Sequence, residues 1–123
     1  MTKLPPKVKA AITDDKIFCL ATANNEGIPN VVYVKYLKVI DDKTILIADN
    51  KMKKTLNNLQ ENPNAAFAVR DDESGSYQVK GKVEYFTSGP HYDEVRNWCR
   101  QDLARKGAVL LHVNAVYNGA TQL

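Results

Sequence analysis

The run from Lys16 to Asp49 constrains the fold most, because three β-prone segments follow one another there with only turn residues between them. Lys16 to Ala23 (KIFCLATA) is apolar and β-prone, and Asn24 to Gly27 (NNEG) supplies residues that tolerate a tight turn. Ile28 to Ile40 (IPNVVYVKYLKVI) reads as one long strand rich in β-branched and aromatic residues, and Asp41 to Lys43 turns it into TILIAD. Links this short leave antiparallel pairing as the available arrangement, since a parallel pair needs a crossover of about a dozen residues or more.

The pattern returns after Pro63. AAFAV, Ala65 to Val69, is followed by the turn RDDESGS and by Tyr77 to Phe86 (YQVKGKVEYF), where Gln78, Lys80, Lys82 and Glu84 alternate with Tyr77, Val79, Val83 and Tyr85. One face of that strand is wet, and Gly81 within the alternation predicts a bulge or bend of the kind that closes a small barrel. Ala108 to Tyr117 (AVLLHVNAVY) is a final strand.

Helical spacing marks three other stretches. In Lys3 to Asp15, Leu4, Val8, Ala11 and Ile12 form an apolar stripe behind Pro5 and Pro6. A second helix falls within Ala48 to Pro63. A third begins at Ser88 or Gly89 as cap with Pro90 first, carries Val95, Trp98, Cys99, Asp102 and Leu103 near one face, and ends at Gly107 as a C-terminal glycine. Helix, three strands, helix, two strands, helix, strand contains no βαβα alternation. The expectation is a mainly β fold, a six-stranded antiparallel barrel, closed or split, with about three short helices at its ends. A chain of 123 residues that is 44% hydrophobic suits a single domain, 1–123.

The second helix breaks an electrostatic rule. In ADNKMKKTLNNLQENP, Asp49 or Asn50 is a good N-cap and Met52, Leu56 and Leu59 recur at helical spacing, yet the first turn carries Lys51, Lys53 and Lys54. A helix amino end already holds roughly half a positive charge, and acidic residues there would gain about 0.3–1 kcal/mol. Two readings are open: a solvated basic patch, or a phosphate clamp built from free backbone N–H groups, lysine ammoniums and the Thr55 hydroxyl. Lys51 is expected to project to a different side of the helix from Lys53.

Other chemistry is sparse. His91 in a helix start and His112 in a strand are linked to no nucleophile, and two histidines do not make a zinc site. There is no glycine-rich dinucleotide fingerprint and no Walker loop. Cys19 and Cys99 read as small core residues, Trp98 as a core anchor or dimer contact, and the acidic pairs as turn formers. The net charge of +3 allows an anionic ligand but is short of what a dedicated nucleic-acid binder carries. A small basic barrel that stacks bases on Tyr33 and Tyr36 between Lys35 and Lys38 is the alternative from another class. No apolar run suggests a signal peptide or membrane span, so a soluble cytoplasmic protein is expected. Any catalysis would come from a bound cofactor.

Tyr36 to Thr55 (YLKVIDDKTILIADNKMKKT), continued by LNNLQENP and by YQVKGKVEYF before a proline-started helix, resembles the FMN-binding split-barrel family related to pyridoxamine 5′-phosphate oxidase. The likeness covers nearly the whole chain and is greatest for the minimal bacterial FMN-binding members. It implies a six-stranded split barrel and a non-covalent FMN, with haem or a deazaflavin as ligands that related barrels accept. It also implies a homodimer with FMN at the interface, in electron transfer or a small oxidoreduction such as nitro or quinone reduction. By the same resemblance the phosphate falls to Asp49, Lys53, Lys54 and Thr55, and the isoalloxazine ring to the backbone of Val31, Val32 and Tyr33. The partner's C-terminal Leu123 would lie near the ring, with a frayed terminus as the other reading of that tail. Lys35 or Lys38 would supply positive charge near N1 and O2. The family's glycines are replaced here by Asp49 and Asn50, and the segments that hold pyridoxamine phosphate in the full oxidase have no counterpart, so that oxidase activity is not expected.

Overall fold

The computed structural model describes residues 2–123. In chain order the elements are α1 (Pro6–Ala11), β1 (Phe18–Ala23), β2 (Pro29–Val34), β3 (Leu37–Asp41), β4 (Thr44–Asp49), α2 (Lys54–Glu61), β5 (Asn64–Asp71), β6 (Gly75–Phe86), α3 (Pro90–Trp98), β7 (Gly107–Asn118) and β8 (Thr121–Gln122). Hydrogen bonding orders the sheet β2-β1-β5-β6-β7-β4-β3, with β8 beside β7, and every pair is antiparallel. β2 and β3 stand at opposite ends of that order, yet only Lys35 and Tyr36 separate them in sequence. Two residues cannot span a flat sheet of this width, so the sheet curls until its ends approach, and the result is a split half-barrel with three helices.

The long strand expected from Ile28 to Ile40 is therefore two strands, and the path holds seven strands plus the short β8 instead of six. Every residue in that run is compatible with extended backbone, so composition carries no sign of the break. Tertiary contacts make it. The Tyr36 carbonyl accepts the Ala48 N–H at 3.0 Å, and the Tyr36 ring meets Trp98 edge-on at 5.4 Å between centroids.

Alternation sends one set of side chains inward. Phe18 and Leu20 of β1, Ile45 and Ile47 of β4, Phe67 of β5 and Val79 of β6 are among the fully buried residues of the barrel core. β4 is buried on both faces because α3 covers its outer side, where Leu46, Ala48, Val95, Cys99 and Ala108 form a second cluster. A Leu or Ile buried this completely contributes about 1.5–3 kcal/mol. Cys99 is a core residue as expected, and Trp98 anchors α3 to the sheet through Tyr36 and the Lys38 ammonium over its ring.

The first turn forms as its residues predict. Asn24 Oδ1 accepts the N–H groups of Glu26 and Ile28 at 2.9 and 3.0 Å, and Gly27 takes φ +81°. The helices are shorter than their periodicity suggested. α3 stops at Trp98, Asp102 faces solvent rather than the core stripe, and Gly107 opens β7 instead of closing a helix. Glycine is needed at Gly107 for space: a Cβ there would sit 2.2 Å from the Tyr85 hydroxyl. Arg105 adopts the left-handed conformation, at φ +48°.

At Gly81 the register with β7 slips from Lys80↔Ala115 to Gly81↔Val113, so Asn114 is the extra residue of a bulge. A Cβ at Gly81 would lie 2.2 Å from the His112 carbonyl oxygen, a backbone atom that has no rotamer to move to. Gly81→Ala is expected to lower stability by about 1–3 kcal/mol, read as a lower urea midpoint at unchanged slope. A midpoint equal to the parent's would show that the bulge has slack.

Candidate functional site

One cleft of about 580 Å³ opens where the unpaired edge strand β2 passes the end of β4 and the start of α2. Val32, Tyr33 and Val34 come from β2, Lys35 and Tyr36 from the link to β3, and Ala48 from β4. Asn50 to Thr55 and, from the loop after α3, Arg100 and Leu103 complete the wall. The volume lies within the roughly 300–1,000 Å³ of small-molecule and cofactor sites. Its walls are largely apolar, and the charged side chains among them are Lys35, Lys51, Lys53, Lys54 and Arg100, with no carboxylate. Such a cleft favours a ligand with an apolar body and an anionic end.

The helix that supplies most of the charge begins later than its sequence suggests. α2 starts at Lys54, so Lys51 and Lys53 belong to the preceding turn, and Lys51 lines the cleft rather than a separate side. No side chain caps α2, which leaves its first N–H groups free to meet an anion. Thr55 is 2% exposed at the cleft and accepts the Asn30 amide N–H at 3.1 Å, so its own hydroxyl proton stays available. Asn30 was missed by sequence reasoning. Its strand position is ordinary, and only the fold sets it against Thr55. A second amide, Asn58, donates to Thr22 at 3.1 Å and pins the same helix to β1.

Asp49 does not reach the cleft, which corrects its expected place at the phosphate. Its side chain is 0% exposed and accepts the Met52 N–H at 2.9 Å and the Tyr85 hydroxyl at 2.6 Å, with the Lys106 ammonium 3.7 Å away. A buried carboxylate is tolerated only with such partners, so Asp49 shapes the turn beneath the lysines instead of touching a ligand.

Of the remaining expected residues, Val32, Tyr33, Lys53, Lys54 and Thr55 line the cleft, and Val31 faces outward on β2, 65% exposed. Leu123 lies outside its own chain's cleft. Its N–H bonds to the Val116 carbonyl at 2.8 Å after the β8 hairpin, so the tail is tied down rather than frayed. Lys38 is held by Glu94 and Trp98, while Lys35 lines the cleft with its ammonium on the Asp14 carbonyl. Tyr33, Tyr36, Lys35 and Lys38 form no common stacking row: Tyr33 is 79% exposed, and Tyr36 and Lys38 pack against α3. Among the described residues no group of His, Cys, Asp and Glu side chains is arranged to hold a metal ion, and no helix is long and apolar enough to cross a membrane.

Comparison with known proteins agrees with this architecture. Residues 4–118 match the family model described as pyridoxamine 5′-phosphate oxidase. The uncharacterized protein MJ0282 of Methanocaldococcus jannaschii is 36% identical in an alignment that covers 96% of this chain and 82% of that one. HupZ of Group A Streptococcus superposes with a TM-score of 0.83 at 25% identity, covering 94% of this chain and 93% of its own. An FMN-binding protein from Syntrophomonas wolfei subsp. wolfei superposes with a TM-score of 0.63 at 20% identity, covering 88% and 78%. The fold and the match over most of its length place this chain in the pyridoxamine 5′-phosphate oxidase family.

Burial first, and then the bond to Asp49, hold the Tyr85 phenol well above its ordinary value of 10.0. The folded pKa exceeds the unfolded one, so this contribution to stability is complete below pH 10 and is lost as pH rises beyond it. Tyr85→Phe is expected to lower stability at neutral pH by about 1–3 kcal/mol, because Asp49 loses a buried donor. The gap between the two proteins should narrow above pH 10 in denaturation measured across pH. A constant gap would mean that Tyr85 does not keep its proton for Asp49.

Proposed function

We propose that the protein binds FMN non-covalently in this cleft and acts as a homodimeric flavoprotein, in electron transfer or a small oxidoreduction. The observation that carries the reading is the uncapped, lysine-flanked start of α2 with the free Thr55 proton, opening onto an apolar cleft without carboxylates. Lys53, Lys54 and Thr55 would hold the phosphate. The free backbone edge of β2 along Val31, Val32 and Tyr33 would face the polar rim of the ring, and Val32, Val34, Met52 and Leu103 would exclude water from its body. When bound, FMN supplies one- and two-electron chemistry at its ring. The chain's part is to orient the ring and hold positive charge near N1 and O2, a role that would fall to Lys35 among the cations of the cleft wall. The name of the Syntrophomonas relative supports the same cofactor.

A dimer is supported by the outer face of the sheet. Ile17, Val31 and Tyr33 are 64%, 65% and 79% exposed, and Ala21, Ala66 and Ala68 lie on neighbouring strands of that face. An apolar face adjoining the cleft suits a symmetric seam, through which a partner's tail, ending in Leu123, could close the site.

Lys54→Ala is expected to weaken FMN by about 1.5–3 kcal/mol and riboflavin hardly at all, because only FMN carries the phosphate. Equal losses, or colourless protein that takes up no FMN, would overturn the assignment. Ala21→Glu should convert the dimer to monomer in sedimentation and weaken FMN with it. Deleting Leu123 should keep the dimer but expose the ring, seen as weaker FMN binding and a shifted reduction potential. Full FMN binding by the monomer would separate the seam from the site.

A further inference from the structure

The proposed phosphate clamp uses the α2 side of the cleft and leaves the charged side chain that the loop between α3 and β7 brings to it, Arg100, without a task. That loop, residues 99–106, is held in shape from several directions. The Arg105 N–H donates to Asn50 Oδ1 at 2.8 Å, the Lys106 N–H to the Asp49 carbonyl at 2.7 Å, and the Lys106 ammonium to the Met52 carbonyl at 2.8 Å. The Arg105 guanidinium closes the loop from inside on the carbonyls of Arg96, Gln101 and Leu103. A surface segment so tied presents its side chains in a fixed arrangement, which lowers the ordering cost of binding.

What it presents to the cleft is Arg100 and Leu103. Arg100 grips the Asp102 carboxylate with two nitrogens, Nε at 3.0 Å and Nη2 at 2.9 Å, so its fork is already set for a carboxylate. The two side chains are 68% and 67% exposed, and an ion pair that open contributes little to stability. An arriving carboxylate would exchange one two-pronged pair for another while Asp102 turns to water. Leu103 is half-buried beside the fork and offers an apolar edge to whatever carries the charge.

We propose that Arg100 is a second anion anchor in the cleft, gated by Asp102, through which the protein selects a small planar substrate bearing a carboxylate over its neutral counterpart. The proposal rests on the flavin reading only in that this substrate shares the cleft with FMN. Asp102 lowers the apparent affinity by occupying the fork, so removing its charge strengthens binding.

Trp98, the chain's single tryptophan, meets the cleft residue Tyr36 edge-on and reports on the site with or without flavin. Titration with 4-nitrobenzoate and with nitrobenzene, followed by Trp98 fluorescence and by flavin absorbance, tests the anchor. Arg100→Ala is expected to weaken 4-nitrobenzoate about tenfold and to leave nitrobenzene and FMN unchanged, with Arg100→Lys between the two. Asp102→Asn should tighten 4-nitrobenzoate by about threefold or more. Equal losses for both probes, a selective loss of FMN over riboflavin in Arg100→Ala, or weaker 4-nitrobenzoate binding in Asp102→Asn would each overturn the proposal. A preference for 4-nitrobenzoate that depends on Arg100 in protein taking up no FMN would sink the flavin reading and keep the anchor. FMN binding without that preference would do the reverse.

Discussion

A carboxylate cut off from water has to find its partners inside the protein, and the fold around Asp49 is arranged to supply them. The Met52 N–H, the Tyr85 hydroxyl and the Lys106 ammonium converge on it from the turn after β4, from β6 and from the end of the loop before β7. Removing one partner from such a group leaves buried charge uncompensated, a loss of several kcal/mol in well-studied cases, so these elements are coupled. The constraint extends to Gly107, where any side chain would collide with the tyrosine that donates to Asp49. Asp49 is thus the fixed point from which the lysine-bearing turn and the loop after α3 are both hung.

From that fixed point the cleft takes its sign. Lys51, Lys53 and Lys54 sit above a carboxylate that is fully occupied below them, so their charge is turned outward and is not neutralised on the cleft walls. The same pin holds the α3–β7 loop against the end of β4 and the turn after it, and with the loop come Arg100 and Leu103. An apolar cleft with a cluster of lysines beside a free helix amino end is poor at holding itself together and well suited to an anionic ligand with an apolar body. This is the usual sign of surface shaped for binding rather than for stability.

The curl of the sheet is the other organising event. β6 and β7 are twelve-residue strands, long enough to bend, and the bulge at Gly81 and Asn114 places the bend where a glycine lets the two backbones close up. Curling brings β2 and β3 together across Lys35 and Tyr36, and the gap left at their edges keeps the outer edge of β2 unpaired beside the cleft. The split and the cleft are consequences of one geometric requirement.

Much of this was legible in the chain. Alternating side chains in Tyr77 to Phe86, turn chemistry in NNEG and the misplaced lysines before Thr55 are local signals, and each names its own structure because neighbouring residues carry the physics. The antiparallel barrel with three helices followed from them, while the lysines showed only as a basic cluster at a helix start. The rest needed contacts between residues far apart in sequence. Nothing near Lys35 says that the strand must break, because the break serves a closure felt only by the whole sheet. Nothing near Asp49 says that its carboxylate faces inward, because Tyr85 lies thirty-six positions away. Asn30 meets Thr55 across twenty-five positions, and Arg100 reaches the cleft only because the Asp49 neighbourhood anchors its loop. Local pattern decides which elements form, while the satisfaction of buried polar groups and the closing of the sheet decide where their side chains end up.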